Sequence, residues 1–243
     1  RDTGQRGLLA GLLMIISLNA FAASDCENSE NLAIWTSPAA PLAGEPFRVM
    51  AVTTNRAADS LRLVDEQGKS RAIPVTRLGG PPWSLEGKVD GFTTSRPLQI
   101  EILRDGETVG CQRLASPQQS GFNVWNRATD AFYAAWIEQL FDALPSDNLS
   151  FKSLEPVLRD PERNFLHNHL GQNEDARLPA TPDCADLPYF LRTYFAWKIG
   201  LPVSFRACDR GTANRAPRCG PATIDDRFVG GNASPASFTR LMR

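Results

Sequence analysis

The sequence predicts two domains, a β-sandwich followed by a mainly helical domain. Three observations carry that expectation. Apolar residues alternate with a period of two through the first half of the chain. Their spacing changes to three and four residues in the second half, and a polar stretch containing Pro and Gly lies between the two patterns. The 243 residues, 42% hydrophobic and 22% charged, have ordinary globular composition, and their number allows one large domain or two smaller ones.

The alternation is clearest at Phe47-x-Val49-x-Ala51, Leu61-x-Leu63, Trp83-x-Leu85 and Leu98-x-Ile100-x-Ile102. A period of two places those side chains on one face of a sheet. Glu66-Gln67-Gly68-Lys69 and Arg104-Asp105-Gly106-Glu107 are turn signals between such runs, the second a hairpin cue. About seven strands of this kind suggest an immunoglobulin-like sandwich, assigned to residues 24–115. It shows no clustered His, Asp or Glu, so a structural or ligand-presenting module is expected there.

The linker is placed at 116–125, around Ser116-Pro117-Gln118-Gln119-Ser120-Gly121. Beyond it, Phe132, Tyr133, Trp136, Ile137, Leu140, Phe141 and Leu144 form one broad helical stripe, expected to be core. Asp160-Pro161-Glu162 reads as the start of a second helix, with Phe165, Leu166, His169 and Leu170 on its inner face and Gly171 closing it. A polar loop over 171–182 precedes a third helix ending at Ile199. Val203-Ser204-Phe205-Arg206 is a candidate strand.

At the N-terminus, Arg1 and Arg6 precede an apolar run over 8–18 and the small-residue stretch Asn19-Ala20-Phe21-Ala22-Ala23. This is the pattern of a secretory signal peptide, assigned to 1–23. The run is shorter than the roughly 20 apolar residues a spanning helix needs. The expectation is therefore an exported protein, periplasmic or secreted, with no stable membrane span after signal removal. The formal net charge of −1 and the lack of a basic block with interleaved aromatics argue against a nucleic-acid partner.

Five cysteines in an oxidising compartment leave one over. Cys26 and Cys111 bracket the β-rich segment, and Cys208 and Cys219 bracket a short Gly/Pro/Arg loop. Pairing each bracket is favoured because each bond closes one structural unit, and it leaves Cys184 alone. Arg206, Arg210, Arg215 and Arg218 cluster around the second bracket. Such a run is usually solvated, although it could contact an anionic group.

Cys184 lies in Pro182-Asp183-Cys184-Ala185-Asp186-Leu187-Pro188, at the entrance of the third helix. Helix-terminal N–H groups and the positive dipole end favour a thiolate and can help hold an oxyanion. Asp183 and Asp186 oppose the thiolate by like charge, so a histidine partner is required. Two registers are open. Asp183 caps the helix with Cys184 in its first turn, or Asp186 caps it with Cys184 in the loop just before. The alternative to a nucleophile is a buried, inert thiol.

Asp183-Cys184-Ala185-Asp186-Leu187, followed by an aromatic helix, resembles the nucleophile helix of NlpC-type, papain-like cell-wall peptidases. The usual Ser-Gly after the cysteine is replaced by Ala185-Asp186. The resemblance implies an α+β papain-like domain over 126–243, mostly helical in this chain and C-terminally incomplete. It also implies a cysteine peptidase or amidase acting on peptide or peptidoglycan, without a cofactor. Cys184 would be nucleophile and oxyanion N–H donor. The family's base histidine comes from a later strand, and no histidine follows Cys184. The base is thus expected either beyond Arg243 or upstream at His167 or His169, with His169 on the inner helix face. Two residues apart on a helix, those histidines point roughly 200° from each other, so no metal site is expected. The competing expectation is a non-catalytic envelope binding or structural protein with an inert Cys184.

Overall fold

The computed structural model describes residues 28–65, 67–92, 99–114, 124–147, 150–230 and 234–242. The expected signal peptide and most of the expected linker lie outside these residues, as does Cys26.

Eight strands form two four-stranded antiparallel sheets. The first holds β1 (Leu32–Ser37), β2 (Phe47–Thr53), β6 (Trp83–Val89) and β5 (Val75–Gly79), in the order β1-β2-β6-β5. The second holds β4 (Ser70–Ile73), β3 (Ser60–Val64), β7 (Gln99–Arg104) and β8 (Glu107–Arg113), in the order β4-β3-β7-β8. Alternation decides what faces inward. Ile34, Phe47, Val49, Ala51, Leu61, Leu63, Leu85, Ile100 and Ile102 fill the space between the sheets. At the β7–β8 hairpin Arg104 pairs with Glu107, and Asp105 (φ 53°) and Gly106 (φ 81°) both adopt the positive φ that the tight turn demands.

In the first sheet β1 and β2 are buried on both faces. Ala33, Trp35, Met50 and Val52 point away from the sandwich core and join a second core with the C-terminal half. Against them lies α1 (Arg127–Leu140), which starts at a reciprocal capping arrangement between Asn126 and Thr129. Trp35 stacks on Phe132 of α1 at 4.3 Å between ring centroids. The molecule is thus layered as sheet, sheet and helices, with an apolar core in each gap.

The C-terminal half does not form the expected papain-like α+β domain. The described residues hold ten strands in three sheets. After α1 come a single 3-10 turn at Pro145–Asp147, the one-turn α2 (Glu155–Leu158), α3 (Leu187–Ile199), the two-stranded ribbon β9 (Val203–Phe205) and β10 (Thr223–Asp225), and α4 (Pro235–Leu241). The physical reason is that α1 buries its apolar face against the outer face of the first sandwich sheet, and α3 packs in turn on α1, with Tyr194 and Phe195 against Phe132 and Trp136. No sheet of their own covers them among the described residues.

The second expected helix is also absent. Residues 161–170 form successive turns, and Asn168 takes φ 49°. The start signal works locally, since Asp160 Oδ1 accepts from Glu162 N at 2.8 Å. The helix fails to propagate because the buried Asn164 diverts the backbone. Its Oδ1 accepts from Leu166 N and Trp136 Nε1, and its Nδ2 donates to Leu158 O and Tyr194 OH. Without that helix, His167 and His169 are placed by turn geometry rather than by helical phase.

Candidate functional site

α3 is the central element of the C-terminal half. From Phe190 onward nearly every side chain is buried, and Phe190, Tyr194 and Trp197 pack on Phe238 of α4. Its first turn emerges into solvent, leaving Asp186, Pro188 and Tyr189 exposed. Pro188 sits at the second helical position, where a missing N–H is harmless. Of the two open registers, the structure takes the one capped at Asp186, with Cys184 just before the helix. The cap makes no side-chain bond. Asp183 organises the turn instead, its Oδ1 accepting from Ala185 N at 2.8 Å and Asp186 N at 2.9 Å while its carbonyl accepts from Leu187 N.

Cys184 is therefore a free, exposed thiol on a turn held by its neighbour. Neither its sulfur nor its backbone N–H makes a hydrogen bond with any other described residue. The N–H groups of Ala185 and Asp186 are already satisfied by Asp183, which leaves the Cys184 N–H as a donor without a partner among the described residues.

The turn is exposed but rooted. On one side Ala180 is pinned to α2, with Leu154 N donating to Ala180 O at 2.7 Å and Ala180 N donating to Glu155 Oε1 at 3.1 Å. Toward the other end of α3 lies a fully buried ionic network. Lys198, in the last turn of α3, places Nζ 2.5 Å from Glu174 Oε1 and 2.6 Å from Asp175 Oδ2. Tyr194 OH donates to Asp175 Oδ1 at 2.7 Å and accepts from Asn164 Nδ2 at 3.0 Å. Backbone N–H groups complete the carboxylates: Leu170 and Gln172 donate to Glu174, and Asn168 donates to Asp175. Burial pushes the Glu174 carboxyl up. The charge and hydrogen bond of Lys198, with the Leu170 N–H, outweigh that and hold it below its ordinary value. Burial also drives Tyr194 well above its ordinary pKa, reinforced by the Asp175 charge.

His169 lies in the same interior. It is buried, with Nδ1 3.2 Å from Ser37 Oγ of β1. Burial lowers its pKa to about 3, the Lys198 charge adds to that, and Glu174 partly opposes it. The structure thus places His169 as an enclosed neutral imidazole with no hydrogen bond to Cys184. His167 is half-buried and lines a cleft of about 320 Å³ between the sandwich and the turns at 161–168. The cations there are already engaged: Arg48 with Glu86 and the carbonyl of Pro161, and Lys88 with Glu162. No cluster of three potential metal ligands occurs among the described residues, and no described helix is long and apolar enough to cross a membrane.

Cys208 and Cys219 are joined by a disulfide. Cys111 is also disulfide-bonded, while its expected partner Cys26 lies outside the described residues. Sequence reasoning passed over Lys198, Glu174, Asp175, Tyr194 and Asn164. The usable signal was one lysine in the run Tyr194-Phe195-Ala196-Trp197-Lys198-Ile199, on a helix too apolar to offer it water. Compared with known proteins, the chain matches no protein-family model and no curated protein.

Proposed function

We propose that this chain is an exported thiol hydrolase that cleaves peptide amide bonds, with peptidoglycan among its substrates, and that Cys184 is its nucleophile. The observation that carries this reading is Cys184 itself, an exposed free thiol whose N–H has no partner among the described residues, on a turn held by Asp183. Disulfides persist in oxidising compartments, and the bonded Cys111, Cys208 and Cys219 support export. The reading does not rest on a papain-like fold. Cys184 Sγ adds to the amide carbonyl carbon while its own N–H meets the oxyanion. The C–N bond then breaks as the proton released from the Cys184 thiol passes to the leaving amine, and water hydrolyses the thioester, freeing the acid and returning a proton to the sulfur. His169 is sealed in the interior and is not the base that moves this proton.

The test is alkylation by iodoacetamide of the native chain under non-reducing conditions, read by mass spectrometry, beside amine release from peptidoglycan peptides. One rapid adduct on Cys184, and amine release abolished in Cys184→Ala, is the expected result. A thiol alkylated no faster than free cysteine at mildly acidic pH would refute the reading. A second reading, a non-catalytic envelope binding protein, is favoured by one observation: the enclosed imidazole of His169 makes no hydrogen bond to the thiol. It expects amine release to be absent from wild type and Cys184→Ala alike.

A further inference from the structure

α3 stops at Gly200, in the left-handed conformation, and after the buried Leu201 and Val203 the chain leaves the body of the protein, returning at the buried Phe228. Between Ser204 and Arg227 only Gly211, Arg215 and Asp225 are less than exposed. A segment with so little core is ordinarily mobile. This one is braced. The β9–β10 ladder closes its base, the Cys208–Cys219 bond staples its middle, and Asp209 organises its tip. Asp209 N donates to Arg218 O at 2.9 Å, Asp209 Oδ1 accepts from Gly211 N at 2.8 Å, and Asp209 Oδ2 pairs with Arg215 at 3.0 Å. The arm is exposed and preorganised, which lowers the entropic cost of binding a partner.

Its cations are all arginine, at 206, 210, 215, 218 and 227, with no lysine. Arg215 and Arg227 are neutralised by Asp209 and Asp225. Arg206, Arg210 and Arg218 have no ion pair among the described residues, against one exposed unpaired carboxylate, Asp226. Guanidinium forks match carboxylates bidentately. The base of the arm adds a second kind of recognition. Among the described residues β9 and β10 pair only with each other, so each has an edge unpaired by any of them, and Phe205 and Ile224 are 41% and 73% exposed beside those edges. An open edge offers main-chain hydrogen bonds to an extended polypeptide, and alternate side chains of that polypeptide then meet its surroundings. Phe205 is the arm's one aromatic residue, so the arm lacks the succession of stacking surfaces on which a single-stranded nucleic acid is held.

We propose that this stapled arm is a docking site for an extended acidic polypeptide segment, which pairs with its open edge and sets carboxylates on Arg206, Arg210 and Arg218. The site is separate from Cys184. The two lie at opposite ends of α3, whose 13 residues span roughly 20 Å, so the inference does not depend on thiol chemistry.

The experiment measures fluorescence anisotropy of a labelled peptide of alternating Glu and Val against the full chain at low salt. Arg206→Ala/Arg210→Ala/Arg218→Ala is expected to bind about tenfold more weakly or worse. The control Arg127→Ala/Arg177→Ala/Arg240→Ala removes three exposed arginines elsewhere. It and Cys184→Ser are expected to match wild type. The same peptide N-methylated at alternate amides is expected to lose binding, because it cannot pair with an edge. Four results would overturn the proposal: no binding by wild type, equal losses in the two arginine triples, undiminished binding of the methylated peptide, or equal competition by polygalacturonate at matched carboxylate concentration. The last would assign the arm to a polysaccharide.

Discussion

Titration of His169 is the most direct probe of the interior. Its folded pKa is about 3, against an ordinary value of 6.5, because it is buried and faces the Lys198 ammonium, with Glu174 only partly compensating. Between those two values the unfolded chain holds a proton on this residue that the folded chain does not. Stability therefore rises with pH across the window and is lost as pH falls below about 6.5. Integrating the linkage relation over that depression gives a loss of about 2 kcal/mol by pH 5 and about 4 kcal/mol by pH 3. The assay is urea denaturation of wild type and His169→Gln at pH 7.5, 6 and 5, above the range where carboxylates dominate. Gln retains a polar group for Ser37 Oγ and does not titrate. The wild-type advantage over the variant is expected to shrink by about 2 kcal/mol between pH 7.5 and 5. A gap between the two proteins that stayed constant across that range would refute the reasoning, since it would mean that native His169 accepts a proton as readily as the unfolded chain.

Two further outcomes follow from the packing. Lys198→Met keeps volume but leaves Glu174 and Asp175 buried without their cation, so urea denaturation should show a loss of about 3–5 kcal/mol; adding Glu174→Gln and Asp175→Asn to that variant should recover part of it. Because the first sheet contributes to both cores, the sandwich and the helical half should melt in one calorimetric transition. Trp35→Ala, which removes the ring stacked on Phe132, should cost about 3–5 kcal/mol and lower that single transition rather than split it.

The sandwich was legible because its signal is local. Phe47, Val49 and Ala51 alternate, and Asp105-Gly106 has the chemistry its turn needs, so strands and hairpin appear in the sequence where they appear in space. The covering of its first sheet was written there too, less plainly. β1 reads Leu-Ala-Ile-Trp and β2 reads Val-Met-Ala-Val, apolar on both faces, as expected of strands buried on both sides. Attending only to the alternate residues hid Ala33, Trp35, Met50 and Val52, which lock the two halves together. The helix expected after Asp160 failed for a different reason. Its capping and apolar spacing are genuine, but one buried asparagine outcompetes the helical ladder, and the partners that make this worthwhile, Trp136 and Tyr194, are far away in sequence.

The network around Lys198 and the exposure of Cys184 are two ends of one helix, and their chemistry is complementary. A buried lysine with two carboxylates is a poor source of stability, since apolar replacements of similar volume often do as well. It is an effective source of geometry. Each carboxylate accepts both from Lys198 and from the backbone of the 168–172 turns: Leu170 N and Gln172 N donate to Glu174, and Asn168 N donates to Asp175, whose other oxygen accepts from Tyr194 OH. An apolar pair at 174 and 175 would leave those N–H groups without their acceptors. The segment 168–175 is consequently held in one conformation, and Ala180 is held again by α2. What remains between Ala180 and α3 is a short span whose only internal brace is Asp183. A thiol placed there is open to solvent while its turn is tied by Asp183 on the α3 side and by the Ala180 bonds to Leu154 and Glu155 on the other.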